Sequence, residues 1–258
     1  MAYAEFFEQK TMDEEHATFI DAAAHGDLET VRNIIHRGRD QPHKIASLIN
    51  ARDDDGFSVL THAVTGKQFA IIETLLRCRA DPNSADNSGS TPLHVAASIG
   101  GSAGLIMTKK LVSHNLAKVN AQMHNGATPL LLATQGCHTR IVRRLISAKA
   151  NPNISGPLGS TCLHLAVLQT HRNLLRLLLK GRADPNLGNR TGMMLGHFPS
   201  IINGMTSGHF PLYLYRHNTI FPSAIALLTT CRLVHASTLI LSHMRARILQ
   251  TDTHTRQA

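Results

Sequence analysis

The sequence predicts an all-α protein: a solenoid of about five helix-turn-helix units with hairpin tips, followed by a divergent C-terminal tail that can be helical. Two motifs recur in phase, and a recurrence of 20 to 50 residues is typical of stacked repeats. The first motif starts at Ser58, Thr91, Thr128 and Thr161, which are 33, 37 and 33 residues apart. The second follows each leucine-rich stretch, at Ala80-Asp-Pro-Asn, Ala117-Lys-Val-Asn, Ala150-Asn-Pro-Asn and Ala183-Asp-Pro-Asn. Aromatic residues are only 4% of the chain, which favours a core of short, closely packed aliphatic helices.

Each unit begins with a helix-start signal and ends with a second amphipathic helix. The segment Thr91-Pro-Leu-His places a hydroxyl at the N-cap and proline at the first helical position, so orphan backbone donors are satisfied or removed. The second helices carry apolar residues at helical spacing over residues 31–36, 71–76, 141–146 and 174–179. No unit can bury that apolar face alone, so the units are expected to stack.

These motifs resemble the ankyrin family, whose unit runs from Gly-x-Thr-Pro-Leu-His through a second helix to Gly-Ala-Asp-x-Asn. A glycine stands two positions before each first motif, and the resemblance covers about residues 17 to 187. We therefore expect an acidic segment over 1–16, repeats over 17–50, 51–84, 85–121, 122–154 and 155–187, and a degenerate sixth repeat with the tail over 188–258. The resemblance implies a non-catalytic module that binds another protein.

The sequence departs from the family pattern in four ways. Arg79, Lys149 and Arg182 replace the glycine of a left-handed turn, at a cost of up to ~1 kcal/mol each. The first unit has a surplus near residues 40–47, and Leu131 replaces the usual histidine of the fourth unit. The third unit is four residues longer through 100–104, which we interpret as a longer turn between its helices, either a functional loop or a tolerated insertion.

The tail has a different composition from the repeats. Residues 188–258 contain one acidic residue, Asp252, and no lysine. Residues 221–249 form a long helix that caps the stack, or the tail is a divergent C-terminus that never packs well; both interpretations stay open.

Composition and motifs argue against other classes of function. The four cysteines are scattered and follow no secretory signal, which predicts reduced thiols in the cytoplasm or nucleus. The apolar stretch 220–241 is interrupted by Arg232 and His235, so no membrane span is expected. We expect no metal, cofactor or catalytic residue, because zinc-ligand spacing, a phosphate loop and a nucleophile turn are missing. His94 and His164 lie in the helix-start motif, where the resemblance implies a structural ring bonded to backbone.

The candidate protein-binding residues lie at the hairpin tips and on the exposed, concave side of the first helices. At the tips they are Arg52, Asp53, Asp54, Asp86, Asn87, Met123, His124, Pro157 and Leu158. On the first helices they are Thr65, Ser98, Ile99, Gln135, Leu168 and Gln169. A monomer with one protein partner of unknown identity is expected. These tips change from acidic to apolar along the chain, which fits a partner with a basic end and an apolar end.

Two alternatives remain beside this adaptor hypothesis. The chain has a formal charge of +9, and its basic residues gather on the second helices and their exits, where they form a solvated face or bind nucleic acid. Nucleic acid lacks the support of stacking aromatics, so the charge alone favours it. The other alternative is a substrate receptor of a ubiquitin ligase, although the tail departs from the docking boxes of such receptors.

Overall fold

The computed structural model describes residues 2–38, 41–114 and 116–190. Of the degenerate sixth repeat and tail predicted over 188–258, only residues 188–190 fall within these ranges. The described residues contain α-helices and no β-strand, which confirms the predicted all-α repeat fold. The helices are α1 Ala2–His25, α2 Leu28–Arg37, α3 Pro42–Ile49, α4 Val59–Thr65, α5 Phe69–Arg77, α6 Pro92–Ile99, α7 Gly101–Ser113, α8 Pro129–Gln135, α9 Thr139–Ser147, α10 Cys162–Leu168 and α11 Arg172–Lys180.

The helices form two layers. The first helices α1, α4, α6, α8 and α10 pack on one another in chain order, and the second helices α2, α5, α7, α9 and α11 do the same. Alanines at equivalent positions in four first helices are fully buried, at Ala63, Ala96, Ala133 and Ala166. Their small side chains allow neighbouring first helices to approach closely, while fully buried leucines such as Leu75, Leu145 and Leu178 fill the space beneath the second helices.

The helix-start signals act as the sequence predicts. The Ser58 and Thr128 hydroxyls each accept a hydrogen bond from the backbone N–H three residues later, at 3.2 Å. At Thr91 the cap is reciprocal, because the His94 Nδ1 atom accepts a bond from the Thr91 N–H at 3.1 Å. These caps satisfy backbone donors that would otherwise be buried without partners.

One asparagine joins each unit to the next. The side-chain oxygen of the asparagine that ends a unit accepts a hydrogen bond from a backbone N–H of the following unit. These bonds are Asp81 to Asn50 (2.9 Å), Lys118 to Asn83 (2.7 Å), Asn151 to Asn120 (2.8 Å) and Asp184 to Asn153 (2.7 Å). The second motif therefore encodes the junctions between units as well as a turn.

The two surplus segments are helical. The surplus of the first unit forms α3, which follows α2 and precedes the second unit. Residues 100–104, interpreted as a longer turn, instead begin α7, which has 13 residues against nine in α5, α9 and α11, so that prediction was wrong. A Cβ atom at Gly104 would lie 2.7 Å from the Ala96 carbonyl oxygen, so glycine here permits a close approach of α7 to α6. Residues 2–16, predicted as a separate acidic segment, are continuous with α1.

The left-handed turns are present as predicted. Arg79, Lys149 and Arg182 each have a φ of 65°, a conformation that favours glycine. The turns between the two helices of a unit show the same feature at Lys67, where φ is 59°. Each such residue stores strain that glycine would not carry.

We expect Lys149→Gly to raise the free energy of unfolding by about 0.5–1 kcal/mol, because glycine adopts a φ of 65° without a Cβ clash. Ser147→Gly, at the exposed last residue of α9, should lower it by a similar amount, since glycine is a poor helix former. Urea unfolding followed by circular dichroism measures both. A loss of stability in Lys149→Gly would show that the turn is unstrained.

Candidate protein-binding surface

Hydrogen bonds of the backbone join several of the hairpin tips, which precede the first helices in the chain. Backbone N–H groups of the third and fourth tips donate to a carbonyl of the preceding tip, Asn87 to Asp55 at 3.1 Å and His124 to Ser88 at 2.9 Å, and the N–H of Arg190 donates to the carbonyl of the fifth-unit tip residue Leu158 at 3.0 Å. These bonds fix the tips of the second, third and fourth units relative to one another. We call the surface made of the tips and the C-terminal halves of the first helices the tip face.

The two aspartates predicted at the start of the tips hold their own turns. The Asp53 carboxylate accepts a bond from the Phe57 N–H at 2.8 Å and lies 2.9 Å from the His62 Nε2 atom. The Asp86 carboxylate accepts bonds at 2.8 Å from the backbone N–H groups of Ser88 and Ser90. Both aspartates are half-buried, and their hydrogen bonds stabilise the hairpin turns. Their role in binding a partner stays a prediction.

Most other predicted tip residues are exposed. The exposed ones are Arg52, Asp54, Asn87, His124, Pro157 and Leu158, while Met123 is half-buried. Two of them also link neighbouring tips, because Arg52 donates to the Ala85 carbonyl at 2.9 Å and the Asn87 amide donates to the Asp54 carbonyl at 3.2 Å. The tip face therefore presents both bonded and open polar groups.

The predicted first-helix residues lie at the C-terminal ends of their helices. Thr65 is exposed, and Ser98, Ile99, Gln135, Leu168 and Gln169 are half-buried. The Ser98 hydroxyl donates to a carbonyl of its own helix, and the Gln169 amide donates to the Gln135 carbonyl of the preceding unit at 2.7 Å. Ile99 and Leu168 are the apolar members of this set. Their binding role is a prediction.

Leu158 is the most unusual residue of the tip face. Its side chain is 46% exposed, and its φ of 57° lies in the left-handed region. A leucine there carries both strain and an exposed apolar surface, and strained residues cluster at functional sites. Folding alone would favour glycine or asparagine at this position.

The buried histidines are structural, as the sequence predicts. His94 is fully buried, and its two ring nitrogens lie 3.1 Å from the Thr91 backbone nitrogen and 3.2 Å from the Ala127 carbonyl oxygen. Burial lowers the pKa of His94 to about 4, despite the backbone hydrogen bonds that favour its charged form. The Nδ1 atom of His164 accepts a bond from the Thr161 N–H at 3.2 Å in the same way. Leu131 replaces this ring in the fourth unit and is buried.

Three observations concern metal sites, thiol chemistry and membrane spans in the described ranges. Within residues 2–38, 41–114 and 116–190 no group of three or more His, Cys, Asp or Glu side chains is placed to hold a metal ion. Burial raises the pKa of the Cys162 thiol to about 12, which keeps it protonated near neutral pH. No helix in the same ranges is long and apolar enough to cross a membrane.

Comparisons with known proteins identify the repeat. Residues 19–105 and 101–189 match the family model described as ankyrin repeats (3 copies). Over 108 residues, or 42% of this chain, the sequence is 34% identical to the neurogenic locus notch homolog protein 1 of Danio rerio. Over 114 residues, or 44% of the chain, it is 33% identical to the protein of that name from Homo sapiens. It is also 31% identical over 113 residues, or 43% of the chain, to the RelA-associated inhibitor of Mus musculus. The matches span only 4%, 4% and 12% of these relatives.

Proposed function

This chain belongs to the ankyrin-repeat family, whose units generally mediate protein–protein interaction, and we propose that it is a non-catalytic adaptor that binds a protein partner on the tip face. The exposed, strained Leu158 supports this proposal most directly. Leucine is unfavourable at this φ, and 46% of the side-chain surface is exposed to solvent, where a partner could cover it.

The charge and polarity of the tip face indicate which kind of partner surface would complement it. The second unit presents acidic side chains at Asp54 and Asp55, both exposed, whereas the tip of the fifth unit presents Pro157 and Leu158. A partner with a basic end and an apolar end would complement both. Apolar anchors at the centre of such contacts usually contribute most of the affinity.

The relatives suggest a first ligand to measure. One of them is named as an inhibitor associated with RelA, so purified RelA is a reasonable first probe for direct binding to this chain. An adaptor acting in the cytoplasm or nucleus as a monomer is the form that we propose. Its narrower version, a substrate receptor of a ubiquitin ligase, would use the tip face for the substrate.

The proposal is tested by affinity capture with the full chain and two variants. We expect Asp54→Ala/Ile99→Ala/Leu168→Ala to lose a retained protein at least tenfold, because it removes one charge and two apolar contacts of the tip face. Quantitative mass spectrometry of the retained proteins gives the readout.

The matched control removes side chains from the other layer. Arg143→Ala/Lys180→Ala changes two exposed positions of α9 and α11 and should retain the partner fully. Direct titration of the purified partner then measures the change in Kd. Equal retention by wild type and the tip-face variant would contradict the proposal.

A further inference from the structure

The chain segregates its charge along the stack. Residues 1–86 contain 15 acidic and nine basic residues, whereas residues 87–183 contain 11 lysines and arginines and no aspartate or glutamate. Residues 87–183 cover most of the third, fourth and fifth units. Like charges at this density repel one another, so the fold gains nothing from concentrating them.

These cations occupy one layer of the stack. Those in helices lie on α7, α9 and α11, and the others lie in the loops that leave the second helices of these three units: Lys109, Lys110, Lys118, Arg140, Arg143, Arg144, Lys149, Arg172, Arg176, Lys180 and Arg182. None lies in the tips or first helices of these units. The tips and first helices of these three units therefore carry no lysine or arginine, while the opposite layer is basic.

Equivalent positions repeat from unit to unit and form two rows. The helix row consists of Lys110, Arg143 and Arg176, each six residues before the exit row of Leu116, Lys149 and Arg182. Packed helices lie about 8–10 Å apart, so neighbouring members of a row are separated by about 10 Å. We call these six residues the basic face.

Three cations of the basic face are exposed. Arg143, Lys149 and Arg182 are exposed, and none makes an ion pair with a side chain among the described residues. Lys110 forms an ion pair with Glu73 of the preceding unit at 2.6 Å, so this cation of the basic face contacts the acidic half of the chain. Leu116 is 68% exposed and supplies an apolar contact within the exit row.

The exit row keeps its cations at an energetic cost. Lys149 and Arg182 both adopt a φ of 65°, where glycine would be less strained. A charged side chain in this conformation therefore does not stabilise the turn. Side chains that cost stability and face solvent are better explained by binding than by folding.

We propose that the basic face binds an acidic helical segment of a protein partner, distinct from the partner of the tip face. Seven residues of α-helix rise about 10.5 Å, so acidic side chains spaced seven apart match the row spacing. Nucleic acid fits less well, because residues 87–183 contain no Phe, Tyr or Trp on which bases could stack. Leu116 receives an apolar residue of the same helix.

The test uses a labelled 21-residue peptide with glutamates at its positions 4, 11 and 18, leucines beside them, and alanine and glutamine elsewhere. A scrambled peptide of the same composition is the reference. Fluorescence anisotropy with the full chain should show about fivefold tighter binding of the spaced peptide, since exposed ion pairs are individually weak. Equal binding of both peptides would overturn the proposal.

Glycine variants separate binding from folding. Lys149→Gly/Arg182→Gly should weaken binding of the spaced peptide about fivefold while it raises the melting temperature. Lys67→Gly is the matched control, because it removes a cation at a φ of 59° in a turn outside the basic face, and it should leave binding unchanged. Leu116→Ala should also weaken binding. An equal loss in the Lys67→Gly control would overturn the assignment.

Two further measurements identify the ligand class and the surface. A nucleic-acid duplex could bind more tightly than the spaced peptide, with an affinity that falls steeply as salt is added. That result would identify nucleic acid as the ligand of the basic face and overturn the proposal. Asp54→Ala/Ile99→Ala/Leu168→Ala should bind the peptide as wild type does, because its changes lie on the tip face. A loss in that variant would show that the peptide binds the tip face instead.

Discussion

Leu145→Ala is expected to lower the free energy of unfolding by about 3 kcal/mol. Leu145 lies in α9 with no exposed surface, and its truncation leaves a cavity where α9 packs on α7, α8 and α11. Because units contact only their neighbours, the damage should also separate the unfolding of the fourth and fifth units from that of the first three. Urea titration followed by circular dichroism should show a lower midpoint and a broader transition.

The control for this variant is Arg143→Ala on the exposed side of the same helix. Its free energy of unfolding should stay within about 0.5 kcal/mol of wild type, because no core contact is lost. A loss below about 1 kcal/mol in Leu145→Ala would show that the junction between units relaxes around the cavity.

The second large effect is a loss of stability at mildly acidic pH caused by His94. The imidazole is neutral in both states above its ordinary pKa of 6.5, so its contribution there does not vary with pH. As the pH falls below 6.5, the unfolded chain takes up a proton while the folded chain resists until its pKa of about 4. The folded state should lose about 3 kcal/mol from this residue between pH 6.5 and 4.

His94→Leu isolates this contribution from those of the other histidines. The fourth unit already accommodates Leu131 at the equivalent position, so leucine fits the geometry of the unit. We expect the variant to be less stable at pH 7.5, because its bonds to Thr91 and Ala127 are lost, and less sensitive to acid. Urea midpoints measured from pH 7.5 to 4.5 give the comparison. Equal pH slopes for both chains would rule out His94 as the source.

The repeat was predictable because its signals are local and recur. The Thr91 cap and the left-handed turn at Arg79 are each encoded within a few residues, and each appears in the fold as the pattern indicates. Residues 100–104 misled the prediction, because glycines usually mark a turn. The close approach of Gly104 to Ala96 explains the glycine, and that contact between helices is invisible in the sequence.

The candidate site was predictable in position and less so in detail. The motif spacing places Asp53 and Asp86 at the tips, yet both carboxylates bond to their own turns, which depends on side-chain geometry. The exposure of Leu158 with a positive φ also required the fold. The two rows of the basic face follow from the repeat spacing together with one structural observation, namely that the four extra residues of the third unit lie in α7.

The asparagine junctions bind every unit to its neighbour in the same way, and this uniformity creates an assembly problem. A unit that recognises the next one through the same amide bond cannot distinguish a correct neighbour from a copy two places away or on another chain. Helix α3, before the second unit, and the extra turn of α7, within the third unit, break the uniformity, since each occurs once among the described units. These two features make the units differ in length, which disfavours packing between units that are not neighbours. We therefore expect that shortening α7 to nine residues would increase the fraction of domain-swapped oligomers formed during refolding.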